Sequence, residues 1–331
     1  MRNRIGLLVV VLAVSLGMVS TVFGAQMPKN VLIGVSQIVS HPALDAVVKG
    51  IQDELAAEHV KARFDLQNAN GDINTASSIA AKFRSEHVNV AVGVATPTAQ
   101  SLVSTLRNTP IVFAAVTDPV KAGLVRSYKG GDRWVTGASD LTPVKQQIEL
   151  LLRLKKVKRL GTVYCTSEAN AVELAQILKK VCQELHIEYV ESTVTKSAEV
   201  KEATDAIARR VDALYISTDN TVVSAMSSVA DVAMKHRIPI MSADPSSAEQ
   251  YNVLAAWGFD YYKMGRATGK IIVEILKGKS PAQIPTLFMT KPSDVNLFVN
   301  LDVAKKLGIV VPANIVRFAK TVRKNGKLIR K

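Results

Sequence analysis

Short apolar runs alternate with longer amphipathic segments along the chain from residue 31 onward. In the first half the apolar runs, each bounded by turn residues, are Val31–Ser36, Ala62–Leu66, Val88–Val94 and Ile111–Val116. The segments between them have helical periodicity and predict helices over Pro42–Glu58, Asp72–Glu86 and Thr98–Arg107. Short strands separated by helices predict βαβ units and a parallel sheet.

The second half repeats this plan with little residue identity. Its predicted strands are Leu160–Tyr164, Ile187–Glu191, Ala213–Ile216 and Ile238–Met241. Its predicted helices are Ala169–Leu185, Ala198–Arg209 and Val222–Lys235. The first and third strands begin 57 residues apart in one half and 53 apart in the other. The pattern therefore predicts an α/β fold of two similar Rossmann-like lobes with parallel sheets.

The last part of the chain predicts a return to the first lobe. An amphipathic helix over Asp260–Leu276 is followed by extended runs at Thr286–Thr290 and Val295–Asn300. We therefore expect a hinge of several strands between the lobes. Lobe 1 would comprise residues 28–138 and 259–288, and lobe 2 would comprise residues 139–258 and 289–331.

The N-terminal segment has the layout of a secretory signal peptide. Arg2 and Arg4 precede an apolar run over Ile5–Val14, and Val22 and Gly24 stand at −3 and −1 of a cleavage site before Ala25. We expect residues 1–24 to be removed on export, the alternative being an uncleaved membrane anchor. No cysteine lies near the cleavage site, so a lipid anchor is not expected, and the mature protein is predicted to be periplasmic.

Charge and cysteine usage add two expectations. The formal net charge is +14, and seven basic residues with no acid lie in the last fifteen positions. Export argues against a nucleic-acid partner, so we interpret that end as a solvated basic tail, which anionic lipid could also attract. Cys165 and Cys182 lie at opposite ends of a βα unit, ~18 Å apart. They are beyond disulfide reach, and two free buried thiols are expected.

Catalytic and metal-binding motifs are absent from the sequence. It lacks G-x-S-x-G, a Walker loop, G-x-G-x-x-G and zinc-ligand spacing. We therefore expect no enzymatic activity, no cofactor and no metal ion. His59, His87, His186 and His236 each end a predicted helix, where a polar residue suits the C-terminus. His41 instead follows the first strand, as either a ligand contact or a structural residue.

The polar loops at the carboxyl ends of the strands are the expected ligand site, because ligands of open α/β sheets bind there. The candidate contacts in these loops are Gln37, His41, Asn68, Ala95, Thr96, Thr98, Thr117, Asp118, Ser167, Asn170, Asp219, Asn220 and Asp244. Ordinary helix capping by the same residue types is the alternative.

A zwitterion would suit these loops. We place Thr96 at a helix N-cap with Pro97 at N1, so that free N–H groups point into the cleft. A carboxylate would bind at Thr96 and Thr98, helped by Asn170 or Asn220.

For the ammonium group of such a zwitterion, Asp219 is the first candidate partner. Trp257 and Phe259, near the expected hinge, could pack against an apolar side chain of the ligand, although core packing is the commoner role of such residues.

Seven stretches, in this order and spacing, resemble a known family. They are His41–Asp45, Gln67–Asp72, Ala95–Gln100, Thr117–Val125, Ser167–Asn170, Asp219–Asn220 and Gly258–Gly265. The chain resembles the ABC-transporter substrate-binding proteins of the tryptophan/tyrosine-binding type, within the type I periplasmic binding proteins, over Val31 to Ala319. Cys165-Thr166, where this family often has Asn-Pro, is a departure on the second-lobe side of the cleft.

The resemblance implies a receptor that binds a small polar solute, best an aromatic amino acid, between its lobes. It would hand the solute to an ABC permease in the inner membrane and act as a monomer. A periplasmic sensory protein that docks on a chemoreceptor or sensor kinase would share the same fold and cleft, and remains the alternative.

Overall fold

The computed structural model describes residues 30–331, which contain fourteen strands and twelve helices. The strands are β1 (Val31–Gln37), β2 (Ala62–Asn68), β3 (Val90–Val94), β4 (Ile111–Val116), β5 (Val135–Ser139), β6 (Arg159–Cys165), β7 (Glu188–Val194), β8 (Ala213–Ile216), β9 (Ile240–Ser242), β10 (Ala255–Phe259), β11 (Leu287–Phe288), β12 (Val295–Asn300), β13 (Thr321–Lys324) and β14 (Lys327–Arg330). The helices are α1 (Pro42–Ala57), α2 (Ile73–Ser85), α3 (Thr96–Thr105), α4 (Val144–Leu154), α5 (Ala169–Glu184), α6 (Val200–Ala208), α7 (Asn220–Ser224), α8 (Met226–Lys235), α9 (Pro245–Ala248), α10 (Tyr261–Leu276), α11 (Leu301–Leu307) and α12 (Ala313–Phe318).

The strands form two sheets of the same topology. One has the order β11-β5-β4-β3-β1-β2 and is parallel throughout, and the other has the order β14-β13-β12-β10-β9-β8-β6-β7. The orders β5-β4-β3-β1-β2 and β10-β9-β8-β6-β7 are equivalent, which confirms two similar Rossmann-like lobes. We call the body on the six-stranded sheet lobe 1 and the body on the eight-stranded sheet lobe 2.

The second sheet is mixed, not purely parallel as predicted. β12 runs antiparallel to β10, and β13 and β14 form an antiparallel hairpin at the edge. The chain passes from one sheet to the other between β5 and α4, between β10 and α10, and between β11 and β12. Three adjacent crossings form a hinge that can bend without unfolding either lobe.

Helices α1 and α10 pack closely on lobe 1. A Cβ atom at Gly265 would lie 2.2 Å from the carbonyl oxygen of Val47, and one at Gly50 would lie 2.3 Å from that of Tyr262. The two backbones therefore approach nearer than any other residue type allows. The carboxylate of Glu54, which is buried, pairs with the guanidinium of Arg266 across the same interface.

Three predicted elements differ from the structure. Helix α3 spans Thr96–Thr105, two residues ahead of the prediction at each end. The helix predicted over Val222–Lys235 is two helices, α7 and α8, which meet at Ala225. The run Thr286–Thr290 contributes only the two-residue strand β11.

The basic C-terminal segment is not a free solvated tail. It forms the β13–β14 hairpin, and several of its cations bind lobe 2. The guanidinium of Arg330 lies 2.7 Å from the Glu249 carboxylate, and the Lys331 ammonium lies 2.6 Å from the Val316 carbonyl oxygen. The hydrogen bonds between β13 and β14 fix the positions of Arg330 and Lys331.

Other expectations concern single residues. Cys165 and Cys182 are free and buried, as predicted. His59, His87 and His186 follow helices with φ of 56°, 52° and 55°, a left-handed conformation common just after a helix. The predicted signal peptide, residues 1–24, lies outside the described residues. Within residues 30–331 no helix is both long and apolar enough to cross a membrane.

Candidate functional site

A cavity of about 220 Å³ lies between the lobes, where the N-termini of α3 and α5 face each other. Its walls come from both lobes and consist of Thr96, Asp118, Lys121, Ala122, Ala169, Asn170, Val172 and Glu173. The parallel-sheet topology brings these residues together, because they follow the carboxyl ends of β3, β4 and β6. The predicted contacts Thr96, Asp118 and Asn170 therefore share one cavity.

Two polar atoms in this cavity have no hydrogen-bond partner. They are the Oγ1 atom of Thr96 and the Oδ1 atom of Asn170, both on buried side chains. Buried polar atoms in folded proteins are nearly always paired, since an unpaired one costs about 1–3 kcal/mol. The pair, one from each lobe, therefore leaves hydrogen-bonding capacity unused at this cavity.

The helix starts at this cavity carry no side-chain cap. The N-cap residues of α3 and α5 are Ala95 and Glu168, and neither side chain accepts a bond from its own helix. The expectation that Thr96 caps α3 is wrong, because Thr96 is the first helical residue. Uncapped N–H groups at a helix start favour an anion such as a carboxylate.

Backbone strain accompanies the cavity on the lobe 1 side. Ala95, directly after β3, has φ 79° and ψ 162°, a region almost restricted to glycine. Ala115, near the end of β4, has φ 53°. These two conformations are unfavourable for alanine, so the surrounding structure must hold the backbone in them. Backbone strain of this kind is concentrated at binding sites.

A second, smaller cavity lies deeper between the lobes. Its volume is about 10 Å³, and its walls are His41, Ala43, Leu44, Ala115, Asp140, Thr218, Asn220, Val223, Asp244 and Tyr261. The predicted contacts His41, Asn220 and Asp244 meet here. Neither ring nitrogen of His41 has a hydrogen-bond partner. Burial lowers the pKa of His41, so that its imidazole is neutral.

Asp140 and Tyr261 in this second cavity were missed from the sequence. The hydroxyl of Tyr261 donates to Asp140 Oδ2 at 2.9 Å, and Thr117 donates to Asp140 Oδ1 at 3.3 Å. Burial raises the pKa of Asp140 to about 6. The available signals were the polar Ser139-Asp140 pair at the first crossing and, for Tyr261, its place in the stretch Gly258–Gly265 that carries the family resemblance.

Asp219, the predicted ammonium partner, has both carboxylate oxygens engaged by backbone. Oδ1 accepts from the N–H of Val222 at 2.9 Å, and Oδ2 accepts from the N–H of Cys165 at 2.6 Å. Burial, together with the nearby Glu168 charge, raises the pKa of Asp219 to about 8. The geometry gives this residue a capping role at the start of α7.

Glu168 is a buried residue of the cleft that the sequence reading overlooked. Its carboxylate accepts from the N–H and hydroxyl of Thr221, at 2.9 and 2.6 Å, and from Asn220 Nδ2 at 2.5 Å. Asn170 Nδ2 lies 3.3 Å from the same carboxylate. Glu168 therefore orients Asn170 toward the larger cavity and Asn220 toward the smaller one.

Several other predicted contacts are engaged locally. Gln37 donates to Asp45 at 2.7 Å, and Asn68 Oδ1 accepts from the N–H of Asn70 at 2.8 Å. Thr98 donates to the carbonyl oxygen of Val94 at 2.8 Å.

The remaining predicted contacts also have nearby partners. The Ser167 hydroxyl lies 3.0 Å from the Cys165 sulfur. Asp118 Oδ1 accepts from the hydroxyl of Tyr128 at 2.7 Å. Asp118 itself lies in the wall of the larger cavity.

The predicted aromatic contacts lie elsewhere. Trp257 lines a groove on lobe 2 with Leu150, Leu297, Ile315 and Phe318, and it packs against the lobe 2 core. Phe259 is buried in the lobe 1 core. Core packing is therefore the role that the structure gives both residues.

The sequence of this chain is similar to those of known substrate-binding proteins. Residues 32–323 match the family model described as ABC transporter substrate binding protein. A tyrosine-binding protein of Clostridioides difficile (strain R20291) is 36% identical over 280 residues, covering 83% of this chain and 80% of that protein.

Two solved structures with nearly equal sequence identity to this chain differ in their structural similarity to it. An ABC domain from Streptococcus pneumoniae in complex with L-Trp is 33% identical, covers 89% of this chain and 100% of that one, and has a TM-score of 0.85. A ligand-free, open substrate-binding protein from Clostridium difficile is 35% identical, covers 86% and 96%, and has a TM-score of 0.64. The structure of this chain is thus more similar overall to the L-Trp complex than to the ligand-free, open protein.

Proposed function

The chain belongs to the ABC transporter substrate-binding protein family, and we propose that it is the extracytoplasmic receptor of an ABC importer. It closes its two lobes over an aromatic amino acid. The ligand class rests on the two similar proteins named for tyrosine and bound to L-Trp. The permease partner and the periplasmic location rest on the family.

The observation that carries this proposal is the pair of unpartnered atoms between the lobes. Thr96 Oγ1 comes from lobe 1 and Asn170 Oδ1 from lobe 2, and both line the same cavity. A carboxylate seated between the uncapped starts of α3 and α5 would accept from their N–H groups and from the Thr96 hydroxyl, and Asn170 Oδ1, an acceptor, would take a donor group of the same ligand. Such a ligand bonds both lobes at once, which favours the closed form over the open one.

Ligand identity is tested by thermal shift and calorimetry on the purified protein against amino acids, sugars, nucleosides and polyamines. A ligand at a hundred times its dissociation constant stabilises the folded state by about 2.7 kcal/mol. We expect the largest shifts with L-tyrosine, L-tryptophan or L-phenylalanine. Shifts with sugars or nucleosides alone would refute the amino-acid assignment and leave the receptor fold intact.

A pair of isosteric variants tests the site itself. Thr96→Val removes an unpartnered hydroxyl, so it should weaken binding of the amino acid about tenfold or more. The ligand-free protein should stay as stable as before. Thr136→Val is the matched control, since its hydroxyl donates to the Ile284 carbonyl at 2.8 Å within lobe 1. That control should lower stability and leave affinity unchanged. Equal affinities of Thr96→Val and the unaltered protein would remove Thr96 from the site.

Transport is tested in cells. Uptake of the radiolabelled ligand should fall when the gene for this protein is deleted and recover when the gene is restored. A ligand that binds tightly but whose uptake is unaffected would favour the sensory role over the importer role.

A further inference from the structure

Positive charge is concentrated in the part of the chain that follows β12. Residues 302–331 contain nine lysines and arginines and one acidic residue, Asp302, whereas the whole chain has 42 and 28. They form α11, α12 and the β13–β14 hairpin of lobe 2. The hairpin is bonded into the eight-stranded sheet, so its charges have fixed positions. A surface of one sign attracts partners of the opposite charge.

The two faces of the hairpin differ in how their cations are paired. On one face Arg330 lies 2.7 Å from the carboxylate of Glu249, and Arg323 donates to the Glu249 carbonyl oxygen. Lys324 and Lys327 lie on the other face, directly opposite each other in the strand register. Within residues 30–331 neither lysine has a carboxylate within 4.0 Å. Like charges in a cross-strand pair are destabilising, so an anion beside them would stabilise this face.

Asp302, the single acidic residue of this region, does not neutralise the two lysines. Its carboxylate oxygens accept from the N–H groups of Asn325 at 2.7 Å and of Gly326 at 2.8 Å, in the turn of the hairpin. Asp302 therefore fixes the turn between Lys324 and Lys327, and both lysine side chains stay exposed.

Exposed apolar side chains lie beside these charges. Ile329 is on the same face of the hairpin as the two lysines and is 47% exposed. Phe318, the last residue of α12, is 77% exposed. The Lys331 ammonium donates to the carbonyl oxygen of Val316 in α12 at 2.6 Å, so this face of the hairpin adjoins that helix. Apolar and basic side chains therefore share one surface.

Phe318 extends this surface into an apolar groove of lobe 2. The groove has a volume of about 330 Å³, and its other apolar walls are Leu150, Trp257, Leu297 and Ile315. A continuous apolar surface on a folded domain marks a site of contact with another protein or with a membrane. Because the neighbouring cations have no acidic partners, the surface that fits is anionic outside and apolar beneath, as a lipid bilayer is.

We propose that this face of lobe 2 docks on a membrane that contains anionic lipid. The docking surface, called the basic patch, consists of Arg317, Phe318, Lys324, Lys327, Ile329 and Lys331. Its cations lie among the lipid phosphate groups, and its two apolar side chains enter the boundary between headgroups and acyl chains. The inference goes beyond the proposed function and does not depend on which solute the cleft binds.

Vesicle flotation of the purified protein without the predicted signal peptide, residues 1–24, tests the basic patch. We expect binding to vesicles of phosphatidylcholine with phosphatidylglycerol and none to phosphatidylcholine alone. The double variant Lys324→Gln, Lys327→Gln should lower the partition coefficient about 25-fold, since each lysine near an anionic surface contributes about fivefold. Lys179→Gln with Lys180→Gln is the matched control, because it removes two exposed charges from α5 of the same lobe. That control should change binding by about twofold or less.

Salt and an apolar variant separate the two parts of the contact. High salt should remove the difference between the lysine variant and the unaltered protein, because it screens surface charge. Phe318→Ser should weaken binding to the anionic vesicles about tenfold through the loss of buried apolar area. All these side chains are exposed, so each variant should keep the thermal transition of the unaltered protein, which calorimetry verifies.

Several outcomes would overturn the proposal. Equal binding to both vesicle types, or a loss in the lysine variant no larger than in the control, would exclude the basic patch. Full binding by Phe318→Ser, or tighter binding to duplex DNA than to anionic vesicles, would indicate a general polyanion site instead of a membrane surface. Binding to neither vesicle type would leave these cations with the protection of an edge strand as their role.

Discussion

Lys121 of lobe 1 and Glu173 of lobe 2 form an ion pair across the mouth of the cleft, with Nζ 2.5 Å from Oε1. Both residues line the larger cavity. Because they belong to different lobes, the pair exists only while the lobes are closed. It therefore bears on how long a ligand stays bound.

We expect Glu173→Gln to raise the dissociation rate of the bound amino acid about two- to fivefold, the scale of an exposed ion pair. Association should change less, since the open form lacks the contact. Stopped-flow fluorescence at low and high salt measures this, and salt should reduce the difference. Glu184→Gln is the control, because Glu184 lies on the same helix and pairs with Lys145, also of lobe 2. Equal rates in the two variants would show that the cleft pair has no role in closure.

Ala95→Gly tests the strained backbone after β3. Glycine adopts φ 79° without steric cost, so the free energy of unfolding should stay the same or rise by up to about 1 kcal/mol. Ala91→Gly, within β3, has no such strain to relieve and should lower the free energy of unfolding by about 1 kcal/mol or more. Denaturant unfolding measures both. A loss at Ala95 equal to that at Ala91 would contradict the strain.

Asp140 should make stability depend on pH. Its pKa rises from 3.8 to about 6 on folding, because burial disfavours the charged form. The contribution of the protonated Asp140 side chain to the free energy of unfolding is thus fully present below about pH 4. It is lost as pH rises through about 6. We expect Asp140→Asn to gain stability over the unaltered ligand-free protein as pH rises across this window. A stability difference that stays constant from pH 4.5 to 7 would refute the assignment.

Gly265→Ala tests the close contact of α1 and α10. The added Cβ would lie 2.2 Å from the Val47 carbonyl oxygen, so the helices must separate at a cost of about 2 kcal/mol. Gly71→Ala meets no neighbouring atom and has φ +79°, so it measures the conformational cost alone, about 1 kcal/mol. Thermal unfolding compares the two variants, and a smaller loss at Gly265 than at Gly71 would contradict close packing.

Much of the fold followed from local pattern. The strand–helix alternation predicted eight of the central strands in order, because apolar periodicity reflects which face of each element is buried. Several of the elements that were missed lie in or after the hinge, among them β5, α4, β10 and the C-terminal hairpin. There the chain passes from one sheet to the other. Its residues are buried against two different lobes, so the spacing of apolar residues is less regular.

The candidate site followed the sequence less closely. Loop position alone grouped Thr96, Asn170 and His41 at the cleft, since parallel strands direct their carboxyl ends to one edge. It did not separate them from Asp219, Asp244 and Thr98, whose polar atoms bind backbone groups. Asp140 and Glu168 were overlooked, since nothing local distinguishes them from exposed acids.

The sequence by itself determined the order of the elements and the edge of each sheet where ligands bind, because both depend on side chains a few residues apart. Only the tertiary structure decided which polar groups remain free. The Asp219 carboxylate accepts from Cys165, 54 residues away, and Glu168 accepts from Thr221, 53 residues away. Hydrogen-bond satisfaction depends on neighbours contributed by other strands, so the free atoms of Thr96, Asn170 and His41 become evident only when the lobes are assembled.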